Sequence, residues 1–334
     1  MIHNQWYIIL ESSEVRSGRP VGVTRLGEKM VLWRSPEGTV VCMVDRCPHL
    51  GAQLSQGKLC ADRLACPFHA FEYDASGQCC HIPALGKAGV PPKAMHVDIY
   101  PTYEAHGYIW IWWGDPCQDL PNPPFIGDLD DSFSYAGYRD PWPVHYSRMV
   151  ENQLDVVHLP HVHYNTIGRG NRVVVDGPLY TLGEDNILRI WVYNRVDDGA
   201  PPRKPEELLP PQRPPFLEFF FPNLWQNRIS DDLRIVVAFV PVDEENGIFY
   251  LRYYQRMVKV PVLRDLVNWI GLLGSRYIAN QDKRVVSNQI PKKTDLRMGE
   301  KVLPCDRLIV AYRRRRKELQ EASGALLDQV FNNN

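Results

Sequence analysis

Short apolar runs separated by turn residues dominate residues 1–115. The runs are rich in β-branched and aromatic residues, and glycine and proline punctuate the intervals between them. This pattern is typical of short strands joined by tight turns, so we expect a small antiparallel β domain. The predicted strands are WYIIL, MVLWR, TVVCMV, HVDIY and GYIWIWW.

A proline-rich passage, PCQDLPNPPF at 116–125, is interpreted as a linker. The rest of the chain mixes strand and helix patterns, which predicts an α+β domain with helices packed on a curved antiparallel sheet. We therefore expect two domains, 1–115 and 116–334. The predicted strands of the second are FLEFFF, LRIVVAFV and GIFYLRYYQRM, and its predicted helices are SRMVENQLDVVHL (147–159), VPVLRDLVNWIGLL and SRYIANQDKRVVSNQ.

Charge is almost balanced, with 38 Lys and Arg against 39 Asp and Glu. Proteins that bind nucleic acid through phosphate attraction carry an excess of positive charge, so no nucleic-acid partner is expected. The basic run RRRRK at 313–317 is a local exception. We expect it to be the solvated face of a C-terminal helix, with a docking patch for an acidic partner as the alternative.

No apolar run approaches the length needed to cross a bilayer, and the N-terminus lacks the pattern of a secretory signal. Eight cysteines in 334 residues is also below the density of disulfide-stapled secreted domains. We therefore expect a cytoplasmic protein with no membrane partner.

Two short loops each combine a cysteine with a histidine, Cys47-x-His49 and Cys66-x2-His69, and sixteen residues separate them. Four such ligands can close a tetrahedral zinc site. Structural zinc modules, however, tend to pair Cys with Cys and His with His. One Cys and one His in each loop is the Rieske pattern, in which two His bind one iron of a [2Fe–2S] cluster and two Cys bind the other. The spacing therefore favours a Rieske cluster over zinc.

A second candidate site lies in the predicted helix at 147–159 and just beyond it. Asp155 and His158 share one helical face, whereas His163 follows five residues later, about 500° around an unbroken helix. The chain must bend for His163 to join them, and Pro160 supplies a reason because it disfavours helix before it. By helical spacing alone His161, three residues after His158, is the nearer candidate ligand, and His163 is the alternative.

Non-haem Fe(II) oxygenases bind the metal with two histidines and one carboxylate. The carboxylate must come from elsewhere in the chain. Asp265, Asp282 and Asp295 in its later segments are the candidates, although an aspartate on a helix is by itself most often an exposed surface charge. Asn152, three residues before Asp155, is a candidate for a hydrogen bond to the metal ligands. Glu151 has two possible roles, a similar hydrogen bond or an exposed position on the surface.

The motifs CPHLG, CPFHAFEYD, ENQLDVVHLPHVH and QDKRVV resemble those of Rieske non-haem iron oxygenases of the short alpha-subunit type. This group includes the dicamba and vanillate demethylases, pheophorbide-oxygenase-like enzymes and saxitoxin-tailoring hydroxylases. The chain departs from the family at Leu50, where many members carry Arg, and at Ala70-Phe71, where many carry Gly-Trp. The resemblance implies an N-terminal Rieske domain followed by a helix-grip, START-like catalytic domain.

The resemblance also implies site roles. The ligands of a mononuclear Fe(II) would be His158, His163 and Asp282. Asp155 would accept hydrogen bonds from a cluster histidine of one protomer and from His158 of the next, which would orient both rings and offer an electron path.

The activity implied by the resemblance is hydroxylation or oxidative demethylation of a cyclic small molecule with O₂. Electrons would come from a flavin reductase, directly or through a ferredoxin, and the chain would form a head-to-tail homotrimer. Polar residues in the otherwise apolar stretch FLEFFFPNLWQNRI (216–229), Asn223, Gln226 and Asn227, suggest a cavity for a ring compound bearing polar groups. The alternative is a Rieske electron-transfer protein without oxygenase activity.

Overall fold

The computed structural model describes residues 1–117 and 119–332, with side chains up to residue 323. It contains two compact units, the first formed mainly by residues 3–123 and the second by residues 124–239 and the chain from 244 onward. The division falls inside the proline-rich segment at 116–125. The domain boundary after residue 115 stays a prediction.

The first unit consists of three small antiparallel sheets. Their strand orders are β1-β11-β10, β2-β3-β4-β9 and β5-β6-β7-β8. All five predicted strands fall on observed strands, although HVDIY contributes only its last two residues. The strands are β1 (Gln5–Glu11), β2 (Val21–Arg25), β3 (Glu28–Arg34), β4 (Val40–Val44), β5 (Lys58–Cys60), β6 (Arg63–Ala65), β7 (Glu72–Tyr73), β8 (Cys79–His81), β9 (Ile99–Tyr100), β10 (Thr102–Ala105) and β11 (Tyr108–Trp113).

The second unit is built on a seven-stranded antiparallel sheet in the order β12-β18-β17-β16-β15-β14-β13. The predicted α+β class is thereby confirmed, although the sequence pattern indicated only three of these strands. The strands are β12 (Ser134–Trp142), β13 (Val174–Leu182), β14 (Ile187–Arg195), β15 (Leu217–Phe220), β16 (Leu224–Ser230), β17 (Leu233–Pro241) and β18 (Gly247–Gln255). The helices are α1 (Tyr146–Leu154), α2 (Leu159–Val162), α3 (Pro261–Val286) and α4 (Arg307–Asn332).

Alternation along β16, β17 and β18 gives the sheet two different faces. One face carries Trp225, Val237 and Leu251, which line a cavity beneath α3. The other carries buried Arg234 and Arg252. The cavity therefore lies on the helix-covered side of the sheet.

Two helix predictions were wrong in their boundaries. The helix predicted at 147–159 ends at Leu154, and a separate short helix, α2, begins at Leu159. The two helices predicted around Gly274 form one continuous helix, α3. A single glycine costs a helix only about 1 kcal/mol, which the packing of a 26-residue helix can offset. No helix in residues 1–117 and 119–332 is both long and apolar enough to cross a membrane.

The basic run at 313–317 is not a fully solvated face. Arg313 and Arg316 are buried on α4, each about 4% exposed. Arg313 forms two hydrogen bonds to Glu151, of 2.8 and 2.7 Å, and Arg316 donates to Thr294. The three-residue spacing places both guanidinium groups on the same face of α4, where each meets its own buried acceptor. The prediction of solvent exposure was therefore wrong for these two arginines.

Candidate metal centres

The two Cys–His loops of the first unit share one backbone geometry. Gly51 and Ala70 occupy corresponding positions with positive φ, 77° and 55°, so Ala70 adopts a conformation that favours glycine. Two backbone hydrogen bonds close each loop, at equivalent positions and at 2.8–3.0 Å. In the first loop they run from Cys47 N to Ala52 O and from Gly51 N to Cys47 O, and in the second from Cys66 N to Phe71 O and from Ala70 N to Cys66 O.

The loops present two thiols inward and two imidazoles outward. Cys47 and Cys66 are buried, whereas His49 and His69 are exposed with ring centroids 4.8 Å apart. Burial raises the pKa of the Cys66 thiol, so an apolar surrounding favours its neutral form until a metal ion binds it. The Tyr73 hydroxyl lies 3.1 Å from Cys47 Sγ and can donate to this sulfur. Two paired thiols and two paired imidazoles fit the donor set of a Rieske cluster.

The second candidate centre depends on a break in the chain after α1. Asp155 ends the helix in an extended conformation, and its Oδ1 accepts a hydrogen bond from Val157 N at 2.7 Å. This bond from an aspartate to the backbone two residues on is an Asx turn, which competes with helical hydrogen bonding. Pro160 lies inside the first turn of α2. The bend therefore comes at Asp155 rather than at Pro160, where the sequence analysis expected it.

The bend brings His158 and His163 together with Asp282 of α3. One ligand atom of each residue lies within 4.8 Å of the others. Asp282 Oδ1 is 2.9 Å from His163 Nε2 and 3.4 Å from His158 Nε2. Although close to both rings, this buried oxygen has no hydrogen bond of acceptable geometry within the described residues. Two imidazoles and a buried carboxylate oxygen without a hydrogen bond fit the two-His-one-carboxylate set that binds Fe(II).

Two glutamines that the sequence analysis missed hold these ligands. His163 Nδ1 lies 2.8 Å from Gln281 Oε1, so the ring donates from Nδ1 and Nε2 faces Asp282. Gln281 Nε2 in turn donates to Asn165 Oδ1 at 2.9 Å, which sets the orientation of the amide. Gln153 Nε2 donates to the second oxygen of Asp282 at 3.3 Å. Burial by itself lowers the pKa of His163, but Asp282 outweighs burial and raises it, so the centre favours positive charge.

Asp155 lies beside His158 on the open side of the centre. Its Oδ2 is 3.5 Å from His158 Nδ1, and its side chain remains 28% exposed. Burial by itself raises the pKa of Asp155, but the His158 ring and the N–H of Val157 outweigh burial and lower it. The carboxylate is therefore held in its charged form with room to accept a further hydrogen bond.

The other candidates of the sequence analysis lie outside this cluster. Glu151 is buried against an arginine of α4, and Asn152 Nδ2 is buried without an acceptor in the described part of the chain. His161 is exposed on α2, and Asp265 and Asp295 are exposed as well. Of these residues, only Asn152 retains an unsatisfied polar group.

A cavity of about 770 Å³ adjoins His158, His163 and Asp282. Its walls are mainly apolar side chains of the sheet and of α3, and Asn227 is among its polar residues. Asn223 instead donates to Phe239 O, and Gln226 donates to Glu218. One of the three polar residues singled out in the sequence therefore lines the cavity.

Comparisons with known proteins agree with this architecture. The Rieske [2Fe-2S] domain family matches residues 5–102, and the vanillate O-demethylase oxygenase C-terminal domain family matches residues 142–322. The chain is 35% identical over 164 residues to the oxygenase component of dicamba O-demethylase from Stenotrophomonas maltophilia, an alignment that covers 48% of each protein. It thus spans about half the length of this relative.

A second relative aligns over nearly the whole chain. Methylxanthine N1-demethylase NdmA from Pseudomonas putida is 27% identical over 341 residues, which covers 96% of this chain and 91% of NdmA. A solved structure of the NdmA QL mutant with caffeine superposes with a TM-score of 0.74 at 22% identity, over 96% of this chain and 92% of that one. This superposition shows that the fold is shared. Since the C-terminal family match alone covers more than half of the chain, the protein belongs to the Rieske non-haem iron oxygenase family, with a C-terminal domain of the vanillate O-demethylase type.

Proposed function

We propose that this chain is the oxygenase component of a system that hydroxylates, or oxidatively demethylates, a cyclic small molecule. The observation that carries the proposal is the convergence of two imidazoles and one carboxylate beside a cavity large enough for such a substrate. A protein that only carried electrons would have no need of this second set of ligands.

The family implies two metal groups, and the chain offers a matching donor set for each. His158, His163 and Asp282 would hold a mononuclear Fe(II), and Cys47, His49, Cys66 and His69 would hold a [2Fe–2S] cluster. When bound, these groups supply single-electron storage and the reduction of O₂.

The chain's own residues orient the donors and exclude water. Gln281 keeps the His163 proton on Nδ1, so that Nε2 faces the metal position. Gln153 holds one oxygen of Asp282 and leaves the other for the metal. Apolar side chains such as Val237 and Leu251 line the cavity and would exclude water from the reacting C–H bond.

The substrate class is proposed from the cavity and from the names of the relatives. The walls combine apolar residues with a few polar ones, including Asn194 and Asn227, which suits a ring compound carrying polar substituents. The relatives are named for O-demethylation of dicamba and N1-demethylation of methylxanthine. Both names describe the removal of a methyl group from a ring compound.

The reaction consumes a C–H bond, one O₂, two electrons and two protons, and yields C–OH and water. When the oxidised carbon is a methyl group on oxygen or nitrogen, the hydroxymethyl product breaks down to formaldehyde and the demethylated compound. A flavin reductase, alone or with a ferredoxin, would supply the electrons. We further propose a head-to-tail homotrimer in which Asp155 joins His158 of its own chain to a cluster histidine of its neighbour. The partial exposure of Asp155 supports this role, because its carboxylate can still accept a hydrogen bond from outside the chain.

The test is reconstitution with iron and sulfide, followed by assays with a reductase and candidate ring compounds under O₂. We expect about three irons per chain, two from the cluster and one mononuclear, and a product heavier by one oxygen or lighter by one methylene. Mass spectrometry with ¹⁸O₂ identifies the source of the inserted atom. An iron content of about two per chain, with reversible cluster reduction and no product, would instead favour the electron-carrier alternative.

A further inference from the structure

The long helix α3 has two unlike faces. One face carries Gly271, Ser275, Ile278 and Asp282, which line the cavity. The opposite face is apolar but exposed, and we call it the α3 outer surface. Its residues follow helical spacing and are 43–83% exposed; they are Val262, Leu263, Leu266, Trp269, Ile270, Leu273 and Tyr277.

The α3 outer surface continues toward the opening of the cavity. Asn165 Nδ2 lies 3.3 Å from the Tyr277 hydroxyl, so the segment 164–172 lies against α3. Ile167 of this segment and Ile229 of β16 both line the cavity, yet they are 56% and 52% exposed. Exposed apolar side chains therefore lie at the mouth of the cavity, next to an apolar helix face, and the exposed Arg169 and Arg172 line the cavity beside them.

Positive charge surrounds this apolar region. On α3, on the residues just before it and on the segment 164–172, the exposed cations outnumber the exposed carboxylates. The only exposed carboxylate in these stretches is Asp265, which pairs with Arg264 at 2.8 Å. The whole chain has a net charge of −1, so this excess is local. The exposed cations are Lys259, Arg276, Arg284, Arg169 and Arg172.

In contrast to the expectation from the sequence that the protein has no membrane partner, we propose that the α3 outer surface docks on a membrane surface that carries anionic lipid headgroups. An amphipathic helix lying in the interface buries its apolar face at the headgroup boundary, with cations close to the phosphates and Trp and Tyr at the interface. Pairing with the same surface of a second copy would oppose cation to cation, which disfavours that arrangement. A different surface of a neighbour in the proposed head-to-tail trimer is the alternative occupant, and sedimentation distinguishes it from the membrane. Tyr277 of this surface binds Asn165, so docking would bring the neighbouring cavity residue Ile167 close to the bilayer. Delivery of an apolar substrate from the bilayer rests on the proposed function, whereas docking itself does not.

Vesicle flotation of the reconstituted protein tests the proposal. We expect wild type to float with phosphatidylcholine vesicles that contain phosphatidylglycerol and to bind pure phosphatidylcholine at least about tenfold more weakly. The double variant Trp269→Ser/Ile270→Ser should lose at least about tenfold in binding, because both side chains leave the interface. Leu209→Ser is the matched control, since Leu209 is 84% exposed but lies outside this surface, and it should bind as wild type does.

Charge and oligomeric state give independent readouts. Lys259→Gln/Arg284→Gln should weaken binding to the anionic vesicles several-fold, and added salt should reduce the difference from wild type. Circular dichroism and the visible spectrum of the cluster confirm that each variant is folded. Absence of wild-type flotation with anionic vesicles would overturn the proposal. Binding of Trp269→Ser/Ile270→Ser at the wild-type level would also overturn it. A lower mass of this double variant in sedimentation would overturn it as well, because it would identify a second copy as the occupant.

Discussion

His163 and Gln281 form a direct hydrogen bond across 118 residues of sequence, with Nδ1 of the ring 2.8 Å from Oε1 of the amide. The bond fixes which ring nitrogen carries the proton. It therefore fixes which nitrogen remains for a metal ion.

We predict that Gln281→Leu weakens binding of the mononuclear metal by about 10–100-fold, because the ring loses both its orientation and its tautomer. Gln281→Glu keeps an acceptor at the same position and should retain binding within a few-fold of wild type. Competition of Co²⁺ or Fe²⁺ against a chelator measures both affinities without any assay of turnover. Equal loss in the two variants would mean that Gln281 acts only through packing.

His161 and His163 provide a matched pair for the assignment of the metal ligands. His163 is buried beside Asp282, and His161 is exposed on α2. We expect His163→Ala to lower mononuclear iron affinity by at least about 100-fold and to leave the cluster spectrum unchanged. His161→Ala should keep wild-type iron content. The reverse result would make His161 the ligand.

Asp155→Asn tests the proposed electron path. The change removes the charge of a carboxylate that lies 3.5 Å from His158, but it keeps a similar shape. We expect the cluster to remain reducible and iron to remain bound, while product formation falls by at least about 100-fold. Rapid-mixing spectroscopy of cluster reoxidation under O₂ with substrate locates the lost step. If the cluster of the variant is reoxidised at the wild-type rate, electron transfer does not depend on Asp155.

Tyr73→Phe should lower the reduction potential of the cluster by tens of mV or so, since the hydroxyl that lies 3.1 Å from Cys47 Sγ can no longer stabilise the more negative reduced state. Protein-film voltammetry or a dye-linked redox titration gives the shift. Tyr103→Phe, which changes an exposed tyrosine, serves as the control. An unchanged potential in Tyr73→Phe would show that the hydroxyl does not donate to the cluster.

His145 predicts how stability depends on pH. Burial, with the charges of Arg316 and Lys293, lowers the pKa of His145 to about 2. The unfolded chain takes up a proton below about pH 6.5 and the folded one does not, so stability is full above that pH and falls as the pH is lowered.

Between neutral pH and roughly pH 5.5, His145 should account for a loss of about 1.5 kcal/mol in unfolding free energy. Comparison of wild type with His145→Gln isolates this contribution from the other titrating groups. Urea unfolding at the two pH values, followed by circular dichroism, is the measurement. Equal losses in the two proteins would show that His145 is protonated in the folded state.

The cluster loops were the most predictable part of the molecule. The spacing Cys47-x-His49 and Cys66-x2-His69 lies within two short loops, and loops with matching hydrogen bonds hold their ligands by local geometry. The sequence predicted that the chain must bend between His158 and His163, but it placed the bend at Pro160 rather than at Asp155. The Asx turn at Asp155 and the N-terminal preference of Pro160 both act locally, and the structure decides between them.

The arginines of α4 were the least predictable. The sequence predicted exposed side chains for Arg313 and Arg316 because they belong to a run of five basic residues. Their acceptors, Glu151 and Thr294, lie 162 and 22 residues away. A sequence pattern reports which face of a helix a residue occupies, but not whether a distant carboxylate will meet it there.

Sequence alone determined the donor types, the α+β class and the likeness to Rieske oxygenases, because these depend on residue identity at short, fixed spacing. The family resemblance indicated Asp282 as a partner of His158 and His163, and the tertiary structure brings the three together. Only the tertiary structure placed Gln281 against His163 Nδ1 and left the outer face of α3 exposed. Contacts between segments more than a hundred residues apart arise from packing of the sheet and helices, and local spacing carries no record of that packing.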